Sequence, residues 1–198
     1  DLELLDWLNT YTFPEEAKYE DLSYAETAYE SFVTRLTRST TTRACIFATL
    51  HLPATLLLMQ KLEDAGLDTY VGKVNMDRNG SPELQETTEQ SKRETLRWLD
   101  ACGRFKTVKP ILTPRFTPSC TDELMSWLGK LAAERGLYVQ SHLSENKGEI
   151  AWVKDLCPDC AQYWESYDRA GLWKDHTVMA HCVHSDERER EAMREHGV

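Results

Sequence analysis

Glycine and proline are scarce in this 198-residue chain, at nine and seven residues. That excludes a collagen-like or low-complexity protein, in which those two residues dominate. A chain that is 28% charged and 41% hydrophobic also lacks the polarity of a disordered one. No uninterrupted apolar run approaches the roughly 20 residues of a membrane-spanning helix, so no membrane span is expected. Excess positive charge is missing too. Lys and Arg number 23 against 33 Asp and Glu, a net charge of −10. A nucleic-acid partner is therefore not expected, because affinity for a phosphate backbone rests on Lys and Arg. Cysteine is too sparse for a disulfide scaffold. The six (Cys45, Cys102, Cys120, Cys157, Cys160 and Cys182) are scattered through apolar stretches and helix ends. Reduced thiols in a reducing compartment are expected. Cys157-Pro-Asp-Cys160 is a lone C-x-x-C with no second pair to complete a zinc site, which leaves its role open. The first residue is Asp1 rather than Met, so the natural N-terminus is expected to lie elsewhere, and the missing signal peptide carries little weight.

What is present is a regular alternation. Short apolar runs of strand character occur at 44–49, 70–76, 108–113, 137–142 and 177–181. Helical patterns separate them. Ser23-x-x-Glu26 reads as a capping box ahead of Ala25, Ala28, Tyr29, Phe32, Val33 and Leu36. Residues 56–65 form a pattern ending at Gly66. Residues 87–101 open on Thr87-x-x-Gln90, turn Leu96 and Leu99 inward and stop at Gly103. The clearest stripe (Leu124, Trp127, Leu128 and Leu131) spans 122–135 before Gly136. Further helices are expected at 149–156 and from about Asp186 to the chain end. Strands recurring every 25 to 40 residues with helices between them predict βα units, a parallel sheet and one α/β domain over 1–198. A βα barrel needs eight strands and this chain supplies five. It is either an open sheet or part of a barrel, and periodicity alone does not choose.

Both architectures place working residues at the carboxyl ends of the strands. The third run exits as Thr113-Pro-Arg115-Phe116, the fourth as His142-Leu-Ser-Glu145-Asn146, and the fifth as His181-Cys-Val-His184. Each residue has an ordinary reading. A lone His at a strand end is most often a hydrogen-bonded structural residue. Arg115 reads as a surface ion-pair partner and Glu145 as a carboxylate near a helix dipole. Together they are harder to dismiss, because strands about 5 Å apart let two imidazoles meet on one metal ion. A catalytic zinc site has three protein ligands and a water, so this one is half present. His51 and His184 are weak candidates to complete it. His176 precedes its strand and His196 lies near the chain end. No H-x-H, H-E-x-x-H or paired C-x-x-C occurs.

Several motifs resemble the guanine deaminase branch of the amidohydrolase superfamily. They are Leu8-x-x-Tyr-Thr-Phe-Pro14, Thr40-Thr-Thr with Ala44-Cys and Phe47-Ala-Thr49, Val71-Gly-Lys-Val-x-Met-Asp77 and Glu86-Thr-Thr-Glu89. Lys109-Pro-Ile-x-Thr-Pro-Arg-Phe116, Gln140-Ser-His-x-Ser-Glu-Asn146 and Thr177-Val-Met-Ala-His181 complete the set, which is collinear from Leu4 to about His184. The resemblance implies a zinc-dependent (βα)8 TIM-like barrel, of which about five strands are here. It also implies hydrolysis of guanine to xanthine and ammonia by a cytosolic homodimer. It assigns His142 and His181 as zinc ligands, Glu145 as the proton shuttle, and Arg115 and Phe116 as the residues that hold the purine. The family's H-x-H pair in the first strand and Asp in the last are not in this sequence. Asp77 and Asp100 do not match that Asp, and Cys182 stands where Gly is usual. The 198 residues are thus expected to be the middle of the enzyme, inactive alone. Two alternatives remain: an amidohydrolase acting on another purine or a triazine ring, and a metal-free barrel serving as a binding or scaffold module.

Overall fold

The computed structural model describes residues 4–198. The expected domain boundary at residue 1 therefore lies outside the described residues. All five expected strand regions hold strands: β1 (Arg43–Phe47), β2 (Asp68–Gly72), β3 (Val74–Asn75), β4 (Val108–Pro110), β5 (Thr113–Pro114), β6 (Val139–Leu143) and β7 (Thr177–His181). Every pairing is parallel: β1 with β2, β2 with β4, β3 with β5, and β6 with β7. A parallel bridge from Leu112 to Val139 joins the third region to β6, so neighbours in sequence are neighbours in space. Two regions expected to be continuous are each split in two. Pro110 ends β4, since it has no N–H to extend the ladder. Beyond it, Ile111 N–H still reaches Val71 O, whereas Leu112 N–H turns to Tyr138 O on the other side. Lys73 separates β2 from β3, and its fully buried ammonium lies 2.9 Å from both carboxylate oxygens of Glu86. Gly72 beside it is obligatory, because a Cβ there would meet Thr113 Oγ1 at 1.7 Å.

The helices supply the crossovers that parallel strands require. Those at Thr88–Cys102 and Asp122–Arg135 lie where expected, the first with its Thr87–Gln90 capping box and the second closed by Gly136 at φ +61°. Others need correction. The Leu22–Thr37 helix is capped by Asp21, which accepts from Ser23 N–H, so the expected Ser23–Glu26 box does not form. An earlier Asp cap is at least as favourable as Ser. Ala25, Tyr29 and Val33 are its buried face, while Phe32 is 39% exposed. The Leu52–Asp64 helix begins four residues early because Pro53 is well suited to a first turn. Asn146 starts the next helix at Lys147–Leu156, two residues before the expectation. Asp186 caps Glu187–His196.

Short helical turns over residues 4–20 and at Glu165–Asp168 were not legible, being too brief to show a 3.6-residue period. Phe13, from the first of these segments, is buried with Leu50, Val74, Met76 and Leu84. The main core sets Val71, Val108, Leu112 and Val139 against Leu58, Leu62, Trp98, Leu124 and Leu128. Truncating one of these buried leucines to Ala would cost about 2–5 kcal/mol. Asp77 accepts hydrogen bonds from Thr88 Oγ1, Thr121 N and Thr121 Oγ1, and so ties together the starts of two helices. Among the described residues no helix is long and apolar enough to cross a membrane.

Candidate functional site

Parallel pairing of β6 and β7 sets His142 opposite Ala180, and Leu143 opposite His181. Strict alternation along a strand would then send His142 and His181 to opposite faces. The backbone prevents this. His181 and Cys182 leave the extended conformation, at φ +76° and +55°. The His181 ring swings back to stack on His142, with centroids 5.3 Å apart and planes 19° apart. The left-handed geometry also explains why glycine suits position 182, where a side chain costs about 1–2 kcal/mol.

His142 Nδ1 lies 2.6 Å from the carbonyl oxygen of Arg115. A carbonyl only accepts, so Nδ1 carries the proton and Nε2 keeps a free lone pair. Phe47 packs on the ring at 4.3 Å. Burial pushes the His142 pKa down to about 4, with smaller contributions from the charges of Arg115 and His181. The imidazole is neutral at pH 7. Glu145 occupies the turn after β6, and its Oε2 lies 3.4 Å from His181 Nε2.

Arg115 and Phe116 are differently placed. Arg115 Nη1 donates to Glu16 Oε2 at 2.6 Å, and the guanidinium lies 4.7 Å from the Phe13 ring centroid. Arg115 thus forms an ion pair with a partner from the N-terminal helical segment, but a largely buried one rather than the surface pair expected. Phe116 is buried, 6.1 Å from Trp152 in a T-shaped contact. The structure therefore brings His142, His181 and Glu145 together, with His142 held by the Arg115 carbonyl, while the Arg115 side chain turns to Glu16. His51 occupies the position before the Leu52–Asp64 helix without a side-chain capping bond, its buried Nε2 lacks a hydrogen-bond partner, and burial pushes its pKa down. His184 is exposed, with its backbone N–H on Ser144 O. His176 packs on Tyr138, and His196 on Ala192 O. All six cysteines are free thiols.

The neutral His142 imidazole, with its free Nε2 lone pair beside the stacked His181 ring, suits a borderline-soft divalent cation such as zinc. Among the described residues no group of three or more His, Cys, Asp or Glu is arranged to hold one. The residues present fit part of a zinc shell. Sequence reasoning passed over the residues behind them: Glu149, Tyr163, Tyr167, Glu189 and Glu16. The Asn146-x-x-Glu149 spacing was a usable signal, since it forms a capping box. The tyrosines and Glu189 carry no local pattern.

The amidohydrolase family profile matches residues 1–198. A guanine deaminase of Dictyostelium discoideum is 49% identical over 191 residues, covering 94% of this chain and 42% of the relative. The crystal structure of guanine deaminase from C. acetobutylicum with bound guanine in the active site superposes at a TM-score of 0.97. It is 46% identical, covering all of this chain and 48% of that one. An adenosine deaminase from Xanthomonas campestris with bound zinc aligns at a TM-score of 0.86 and 19% identity, which is a likeness of fold alone. The chain spans somewhat less than half the length of these relatives.

Proposed function

The chain belongs to the amidohydrolase family, and from that premise we propose that the complete protein is a guanine deaminase, converting guanine and water to xanthine and ammonia. One observation carries the proposal most directly: the stacked His142–His181 pair with a carboxylate 3.4 Å away. The similarity to guanine deaminases at 46–49% identity supports the choice of substrate.

His142 and His181 would hold a zinc ion, through Nε2 in His142, with further ligands from outside these 198 residues. That ion supplies Lewis acidity and makes water a nucleophile at neutral pH. Glu145 accepts one proton of the attacking water and delivers it to the purine ring nitrogen. It then takes the remaining proton of the added hydroxyl and gives it to the amino group, which leaves as ammonia as the C–N bond breaks and the new carbonyl forms. Such positioned transfer is worth about 10² to 10⁴-fold. Arg115 donates from its remaining N–H groups to O6 and N7 of the purine, and Phe116 borders the ring. In this reading the five strand regions form part of one eight-stranded barrel domain. The partners are guanine and a second copy of the protein, in the cytosol.

Glu145→Gln in the complete protein tests it. Zinc content and affinity for a purine inhibitor should stay near wild type, while kcat falls about 10²-fold or more. Wild-type turnover would end the proton-transfer role, and loss of zinc would make Glu145 a ligand. A carboxylate that only favours the following helix through its dipole would instead cost about 0.3–1 kcal/mol of stability and leave turnover intact.

A further inference from the structure

Two buried carboxylates grip the turn that bears Glu145. Glu149, 1% exposed, accepts the backbone N–H of Glu145 at 2.9 Å and of Asn146 at 3.2 Å on Oε2. Glu189, 3% exposed, accepts the hydroxyls of Ser144 at 2.7 Å and Ser185 at 2.6 Å. Ser144 between them is held at φ +49°, where a non-glycine residue stays only if its surroundings insist. The other oxygen of Glu149 accepts from Tyr163 Oη at 2.7 Å. Tyr163 stacks on Tyr167 (5.8 Å, 20°), whose hydroxyl donates to the His142 carbonyl at 2.7 Å and receives Thr117 N–H at 3.3 Å. One hydrogen-bonded and stacked unit thus reaches the purine-side loop, the His142 strand and the Glu145 turn.

We propose that Glu149 and Tyr163 are positioning residues for Glu145, fixing the backbone from which its carboxylate reaches the reacting atoms. This rests on Glu145 as the proton carrier of the proposed deaminase. Both act through Glu145's main chain, so their effect should fall on the chemical step and disappear when Glu145 can no longer transfer a proton. A misplacement of about 1 Å is enough to cost about 10²-fold in rate.

The test uses the complete zinc-loaded protein. Tyr163→Phe removes only the hydroxyl and leaves Glu149 Oε1 short of a donor. Its kcat for guanine should fall about 10- to 100-fold, with KM and zinc content near wild type. In a Glu145→Gln background the same substitution should leave the residual rate unchanged. Glu149→Gln, which keeps an acceptor for both N–H groups, should retain far more activity than Glu149→Ala. An equal fold-loss in both backgrounds, or no loss in either, would overturn the proposal. So would a crystal structure of Tyr163→Phe with Glu145 still 3.4 Å from His181 Nε2, a readout that needs no turnover. If Tyr163→Phe does not fold, the two Glu149 variants measured in both backgrounds decide. Absence of guanine turnover in the wild-type protein would instead overturn the deaminase reading.

Discussion

Under the proposed function Arg115 would serve two interactions with one side chain. Its guanidinium has five donors in a planar fork, and the Glu16 contact at 2.6 Å uses Nη1. In the proposed site the others would serve a purine's O6 and N7. Both partners of the pair are 12% exposed, so the contact is neither a fully buried pair nor a screened surface one. Purine recognition predicts that Arg115→Ala in the complete protein lowers kcat/KM for guanine about 10- to 200-fold, the scale of 1–3 kcal/mol for a bidentate contact. Lys should rescue poorly, because a point charge cannot reproduce the fork. A purely structural ion pair predicts otherwise. Arg115→Ala and Glu16→Gln would then lose similar, small amounts of stability and keep normal kinetics. Steady-state kinetics and thermal stability of the three variants separate the two.

At the scale of elements, a single glutamate joins a helix to a strand. Glu63, near the end of the Leu52–Asp64 helix, accepts the backbone N–H groups of Lys106 (3.0 Å), Thr107 (3.0 Å) and Val108 (3.1 Å), and the Thr107 hydroxyl. These donors, Lys106 N–H foremost, pull its pKa down from 4.5 to about 2. The folded value lies below the unfolded one. The contribution to stability is therefore complete above pH 4.5 and is lost as pH falls through about 2. Denaturant midpoints measured across that window should decline with acidity in the wild type. The decline should be shallower in Glu63→Gln, and an unchanged slope would show that the bonds do not matter for folding. The Lys73–Glu86 pair ties the β2–β3 junction to the loop ahead of the Thr88–Cys102 helix, although burial opposes the Lys73 charge and pushes its pKa down.

For the molecule as a whole, the sheet edges govern how it behaves in solution. Among the described residues β1 pairs only with β2, and β7 only with β6. Val178 on β7 is 41% exposed and Val183 just beyond it 65%. Unpaired edges invite pairing with another chain at about 4.8 Å. The net charge of −10 opposes association, but salt screens it over about 10 Å at 0.1 M. The short-range edge contact should prevail. The isolated 198 residues are expected to self-associate with concentration in gel filtration and to melt broadly. A monodisperse monomer with one sharp transition would contradict this.

The sequence by itself determined the succession of elements, because hydrophobic periodicity, caps and glycine stops are local physics. The Asp122–Arg135 helix and β7 were readable to the residue. It also named His142, Glu145 and His181 as residues arriving at one rim. Tertiary structure decided what local patterns do not encode. Asp21 outcompeted Ser23 as a cap, and Phe32 fell outside the buried stripe, since both depend on what the helix packs against. Strand alternation placed the two histidines on opposite faces, and only the left-handed backbone at 181–182 stacked them. Glu149 was legible as a capping-box partner of Asn146, whereas Glu16, Tyr163 and Glu189 reach the site from distant segments or through the packed interior. Their partners lie up to 99 residues away along the chain, a separation over which no local spacing carries information.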